Sequence, residues 1–147
     1  NKFKPLKFRQ EVIHQSKYLK IINDSKSTTL SSTVPFLESN EKILWILGGL
    51  FKKGDKFNLN KKYFKNLEAY IYGKDRQVFF KLFKNKIKVN LSKDLRNTLK
   101  LIPNLKDIRT KVTVLFSPSA ASFDQYKNFE ERGRQFNMLI KRYLPIE

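Results

Sequence analysis

The sequence contains no cysteine, which removes disulfides, thiolate metal sites and a cysteine nucleophile in one step. A lone histidine, His14, cannot assemble a histidine metal site by itself, so no metal ligands are expected in the chain. Long hydrophobic runs are missing as well. The longest apolar stretch, Ile43 to Phe51, is interrupted by Gly48 and Gly49 and falls far short of the ~20 residues of a membrane-spanning helix. Together these absences predict a soluble, cytoplasmic chain without a membrane partner. The first residue is Asn1 rather than Met, and no apolar segment with a small-residue cleavage site follows it. A fragment of a longer protein is therefore expected, not one that opens on a signal peptide.

Acidic residues are scarce: 13 Asp and Glu stand against 31 Lys and Arg, a formal charge of +18. Such an excess suits a polyanion, because clustered cations release counterions from nucleic acid. The lysines are instead spread along the whole chain among many Ile, Asn and Phe, the bias of a proteome rich in Lys codons. Nucleic-acid binding by a stand-alone basic α/β module is thus the alternative reading, not the leading one. With 147 residues, 40% of them hydrophobic, the chain suffices for one core, since domains commonly run to ~100–200 residues.

Short apolar runs alternate with amphipathic stretches. Tyr18–Ile22 reads as a strand that stops at Asn23-Asp24-Ser25, a turn and cap cluster, with a helix from Ser27 to Leu37 that Pro35 ends or kinks. Ile43–Leu47 is a continuous apolar run closed by two glycines, as in a strand buried on both faces of a parallel sheet. Ala69–Tyr72 and the weaker Ile87–Val89 are further strands. Each precedes a helical pattern, the first from Gln77 to Phe83 and the second from Leu91 to Leu105 with Ser92 as candidate cap. Val112–Phe116 is the last clear strand, and Asp124–Leu144 a long amphipathic helix with Phe129, Phe136 and Tyr143 on its apolar stripe. This pattern predicts one α/β domain with a mainly parallel, Rossmann-like sheet of five to six strands and helices on both faces. Ligands of such sheets bind beyond the strands' carboxyl ends, which places Asp24–Thr28, Gly48–Lys52 and Ser117–Ser122 on one edge as an anion site.

Three segments, Ile22–Thr28 (INDSKST), Leu47-Gly48-Gly49 with Lys52, and Ser117–Gly133 (SPSAASFDQYKNFEERG), together resemble the Mur ligase family, and within it the branch that adds D-glutamate. The resemblance runs from about Arg9 to the end of the chain and is carried chiefly by the third segment. It implies the C-terminal, amino-acid-binding domain of an ADP-forming amide ligase that works as a monomer. In such an enzyme ATP and Mg²⁺ activate UDP-N-acetylmuramoyl-L-alanine as an acyl phosphate, and the amine of D-glutamate displaces phosphate. By the same resemblance Lys26 is the catalytic cation, and Thr28 and Lys52 hold the α-carboxylate. Ser122 and the N–H of Phe129 hold the side-chain carboxylate, and Arg9 and Asp24 reach the nucleotide.

Lys53 competes with Lys52, because the spacing to Phe57 is one residue longer than in some relatives. Phe8, Ser27, Thr29 and Ala120 depart from residues common in the family. The chain holds no G-x-x-x-x-G-K-[ST] loop for ATP phosphates, so those and Mg²⁺ are expected on preceding domains and the chain alone is expected to be inactive. Taken singly, the same residues have plainer roles. Asp24-Ser25 suits a helix cap, Ser122 a cap of the last helix, Phe129 and Trp45 the core, and any one lysine a solvated surface.

Overall fold

Strand residues alternate between two apolar faces, and each face carries its own pair of helices. The computed structural model describes residues 6–144. Its elements run β1 (Glu11–Gln15), β2 (Leu19–Asn23), α1 (Leu30–Leu37), β3 (Lys42–Gly48), a 3-10 helix (Lys61–Asn66), β4 (Leu67–Tyr72), α2 (Arg76–Phe83), β5 (Lys88–Leu91), α3 (Leu95–Leu101), β6 (Val112–Phe116) and α4 (Phe129–Tyr143). The six strands form one sheet in the order β1-β2-β6-β3-β4-β5. Every pair is parallel except β1 with β2.

Residues of even number on β3, Leu44 and Ile46, join Ile21, Val114 and Phe116 beneath Leu95 and Leu99 of α3 and Phe136 and Ile140 of α4. Ile43, Trp45 and Leu47 face the other way, onto Leu30 and Leu37 of α1 and Phe79 and Phe83 of α2. This is the period-2 alternation of a strand covered on both sides. The expected mainly parallel α/β sheet, with helices on both faces, is therefore what the chain forms.

The differences lie at element ends, and each has a local cause. Helix α1 starts at Leu30 with Thr29 as its cap, not at Ser27, because Ser25 and Ser27 spend their N–H groups on the Asn23 side chain and the Asp24 carbonyl. Pro35 lies inside α1 and removes one donor only two residues before the helix ends. Asp94, not Ser92, caps α3, which stops at Leu101 because Pro103 drives Ile102 into extended backbone. Helix α4 begins at Phe129, not Asp124: a turn closed by Tyr126 N–H on the Ser122 carbonyl comes first, and then Asn128 caps the helix through Glu131 N–H. Strand β1 and the 3-10 helix were not expected; β1 has little apolar content and pairs as an antiparallel edge strand with a bulge between Val12 and His14.

Candidate functional site

The registers Asn23↔Phe116 and Ile46↔Phe116 bring the carboxyl ends of β2, β6 and β3 level. Chain direction along the sheet reverses here, since β6 inserts between β2 and β3, and this is where an open α/β sheet leaves a crevice.

The loops that leave these strands are tied to one another by buried polar bonds. Asp24 N–H donates to the Phe116 carbonyl at 2.7 Å, and Gly48 N–H to that of Pro118 at 3.1 Å. Leu50 and Ala121 exchange N–H···O bonds of 2.9 and 3.1 Å in a one-step antiparallel bridge. Thr33 of α1 brings its hydroxyl within 2.7 Å of those of Ser27 and Ser117 and 2.8 Å of that of Ser119. The Asp55 carboxylate accepts from the N–H groups of Leu30 and Ser31, so the loop after β3 is pinned to the first turn of α1. The three expected loops thus share one edge and are cross-braced.

Lys26 is half-buried, with its N–H on the Phe8 carbonyl at 3.0 Å and its ammonium 4.6 Å from the centre of the Phe129 ring. Thr28 is exposed directly before the α1 cap, and Lys52 and Lys53 are both exposed in the loop that Asp55 anchors beside it. Ser122 is buried and lends its carbonyl to Gln125 and Tyr126 N–H. Phe129 is the first residue of α4, so its N–H has no intrahelical acceptor, as a ligand-binding role requires. Its ring, expected in the core with Phe136, instead lies half-buried outside both core clusters, because α4 starts there and turns that first residue toward Lys26.

Arg9 is exposed, whereas Asp24 is buried with both carboxylate oxygens engaged: one accepts Gln10 N–H at 3.0 Å, the other the Ser117 hydroxyl at 2.7 Å. Burial raises its pKa above the usual carboxylate range, against the lowering pull of the Ser117 and Gln10 bonds and the Arg9 charge. Trp45 is core, as expected, and its indole N–H reaches the Ser117 carbonyl at 2.9 Å. The departures Ser27, Thr29 and Phe8 all have uses here. Ser27 joins the hydroxyl cluster, Thr29 caps α1, and Phe8, held at a φ of +65°, packs its ring on the bare Cα of Gly133.

The sequence reading missed Arg132. It is 0% exposed, and its guanidinium donates to the Ser25 hydroxyl and to the carbonyls of Ser25, Ser27 and Ala120. A signal existed, for Arg132 falls three residues after Phe129 and four before Phe136, a cation on the stripe assigned to the core.

No helix among the described residues is long and apolar enough to cross a membrane. They also bring together no group of three or more His, Cys, Asp or Glu side chains able to hold a metal ion.

No family model matches the chain. It is 41% identical over 145 residues to the UDP-N-acetylmuramoylalanine--D-glutamate ligase of Buchnera aphidicola subsp. Schizaphis graminum, a span of 95% of this chain and 32% of that protein. The like-named proteins of Wolbachia pipientis wMel and Hydrogenobaculum sp. are 35% identical over 91% of the chain and 34% over 96%, covering 26% and 34% of their own lengths. The chain therefore spans about a third of the length of the relatives it matches. Among solved structures, UDP-N-acetylmuramate-alanine ligase from Thermotoga maritima superimposes with a TM-score of 0.60 at 15% identity, over 92% of this chain and 30% of that one, which speaks for the fold. Along nearly all its length, then, the chain is similar to the matching third of ligases of one name, and it has the fold found in a Mur ligase.

Proposed function

We propose that the chain is the C-terminal, amino-acid-binding domain of an ATP-dependent, ADP-forming ligase that joins D-glutamate to UDP-N-acetylmuramoyl-L-alanine in the cytoplasm, as a monomer. The observation that supports this reading is the cross-bracing of the loops that carry Lys26, Thr28, Lys52 and Ser122, with the Lys26 ammonium set against the Phe129 ring at the start of α4. D-glutamate brings two carboxylates and one amine, and it must be held by both anions to aim the amine. Thr28 and Lys52 take the α-carboxylate; Ser122 and the Phe129 N–H at the start of α4 take the side-chain carboxylate. Lys26 then offsets the negative charge that develops as the amine attacks the acyl phosphate and phosphate leaves. Arg9 faces the nucleotide, and Asp24 holds the neighbouring backbone through Gln10. ATP and Mg²⁺ fall to the rest of the full-length protein, of which the chain spans about a third in its relatives and in which the missing phosphate loop belongs.

The test is phosphate release by the full-length protein with ATP, Mg²⁺ and UDP-N-acetylmuramoyl-L-alanine, comparing D-glutamate, L-glutamate and Lys26→Ala. Turnover that needs D-glutamate and falls by about 100-fold or more in the variant is expected, the loss typical of a group that stabilises developing charge. A folded full-length protein without glutamate-dependent turnover refutes the reading. One observation favours polyanion binding as a second reading: Arg96, Lys100 and Arg142 all lie within 6 Å of the Tyr143 ring, and although desolvation, the largest single effect, raises its pKa, the three cations together lower it. That reading requires steeply salt-dependent affinity for RNA or DNA, which fluorescence anisotropy measures directly.

A further inference from the structure

A guanidinium with no solvent exposure needs compensation, and among the described residues no carboxylate forms an ion pair with Arg132. Its partners are neutral oxygens. Nη2 donates to the Ser25 carbonyl at 2.6 Å and the Ser27 carbonyl at 3.3 Å, Nε to the Ser25 hydroxyl at 3.1 Å, and Nη1 to the Ala120 carbonyl at 2.8 Å. Two of these carbonyls flank Lys26 on either side; the third stands two residues before Ser122. The Ser25 hydroxyl passes the connection on, donating to the Phe129 carbonyl at 2.7 Å. Asp24 and Thr33 bind the same two loops close to where they leave the strands, through Ser117. Arg132 binds them further out, at Ser27 and Ala120.

The geometry points to Arg132 as a positioning residue: its planar fork sets the separation between the anion clamp on the Lys26–Thr28 loop and the clamp formed by Ser122 and Phe129, and so selects the length of the dicarboxylic amino acid. This inference rests on the proposed ligase reading. Glutamate and aspartate differ by one methylene between their carboxylates, so a fixed spacing between two clamps is what separates them. A flexible ammonium in place of the fork holds fewer carbonyls at once and lets the spacing vary.

The experiment measures kcat and KM of the full-length protein for D-glutamate and D-aspartate, with ATP and UDP-N-acetylmuramoyl-L-alanine saturating, for wild type, Arg132→Lys and Ser25→Ala. Thermal unfolding and amide exchange of residues 24–28 and 117–122 are measured beside it. Ser25→Ala removes one acceptor of Arg132 and keeps the guanidinium, so it serves if Arg132→Lys does not fold. The expected result is a loss in kcat/KM for D-glutamate approaching about 100-fold in Arg132→Lys, the scale of a displacement of about 1 Å, with a smaller loss in Ser25→Ala. In both, the D-glutamate to D-aspartate ratio narrows while KM for ATP stays within about twofold, since no proposed ATP contact is altered. A lowered melting temperature with an unchanged ratio in the folded variants makes Arg132 a purely structural residue and overturns the inference, as does a wild type that does not discriminate the two acids. If wild type shows no glutamate-dependent turnover, the ligase reading itself fails and selection by length fails with it. Amide exchange then decides separately on the clamp: faster exchange in both loops of Ser25→Ala sustains it, and unchanged exchange overturns it.

Discussion

Gly49→Ala tests the seam that joins two of the site loops. Gly49 has a φ of +129°, and a Cβ added there would stand 2.3 Å from the Ala121 carbonyl oxygen. That oxygen accepts the Leu50 N–H at 2.9 Å, and Ala121 N–H returns a bond of 3.1 Å to Leu50. The methyl group therefore both strains the backbone and displaces one strand of the bridge. Strain of this kind costs ~1–3 kcal/mol and each hydrogen bond ~0.5–1.5 kcal/mol, so the expected destabilisation is about 2–6 kcal/mol. For a chain of this size each kcal/mol lowers the melting temperature by roughly 2–4 °C, so a drop on the order of 10 °C is expected by circular dichroism. Gly54→Ala is the control: its φ is +85° with open space around the added Cβ, so only the left-handed backbone penalty of ~1–2 kcal/mol applies. Melting of Gly49→Ala within about 2 °C of wild type, or no lower than Gly54→Ala, refutes the argument that the bridge is closed by contact.

Lys52→Ala is expected to raise KM for D-glutamate about 10-fold, the lower end for a charge-assisted bond because the lysine is exposed, whereas Lys53→Ala leaves it within about twofold; the reverse result moves the assignment by one residue. Asp24→Asn carries a pH signature. The folded-state pKa of Asp24 lies above the unfolded value of 3.8, so the folded state binds that proton more tightly. Its contribution is full below the unfolded pKa and lost as pH rises through the folded one. Urea unfolding should therefore show wild type gaining on Asp24→Asn as pH falls from neutral toward 4, and a gap moving the other way contradicts the burial argument. Phe136→Ala removes a fully buried ring stacked 4.3 Å from that of Phe116, and should cost ~3–5 kcal/mol by the same measurement.

What the sequence made legible followed from periodicity. Val112–Phe116 is apolar on alternate positions and bounded by Ser117-Pro118, and the strand has those limits. Ile43–Leu47 is apolar throughout because helices cover both faces of β3. Helix starts were less legible, since Asp, Asn, Ser and Thr cluster near each one and only long-range bonds decide which side chain becomes the cap. Asn23, for instance, is drawn to the Gly133 carbonyl and the Asn137 side chain, 110 residues or more away. Arg132 escaped notice for the same reason. A one-dimensional pattern marks it as a charge on an apolar stripe, but three of its four acceptors lie on a segment over a hundred residues away. The roles proposed for Thr28 and Lys52 rest on resemblance alone; nothing in their local composition separates them from other exposed polar residues.

The polar groups at this edge divide by what they are already bonded to, and that division decides how variants should behave. Asp24, Ser25, Thr33, Ser117 and Arg132 are committed to one another or to backbone, and each is largely or wholly buried. Thr28, Lys52 and Arg9 are exposed, and among the described residues the Lys26 ammonium rests on the face of an aromatic ring, a contact worth ~0.5–1 kcal/mol where solvent reaches it. An arriving anion can take Lys26 from that ring at little cost. It cannot take Arg132 from its carbonyls without leaving several buried acceptors unpaired, each costing ~1–3 kcal/mol. Changes in the exposed set should therefore alter binding and leave melting untouched, while changes in the buried set should lower both. A ligand that contacted Arg132 directly would have to open this brace first, so the brace is expected to arrange the ligand-binding groups and not to meet the substrate itself.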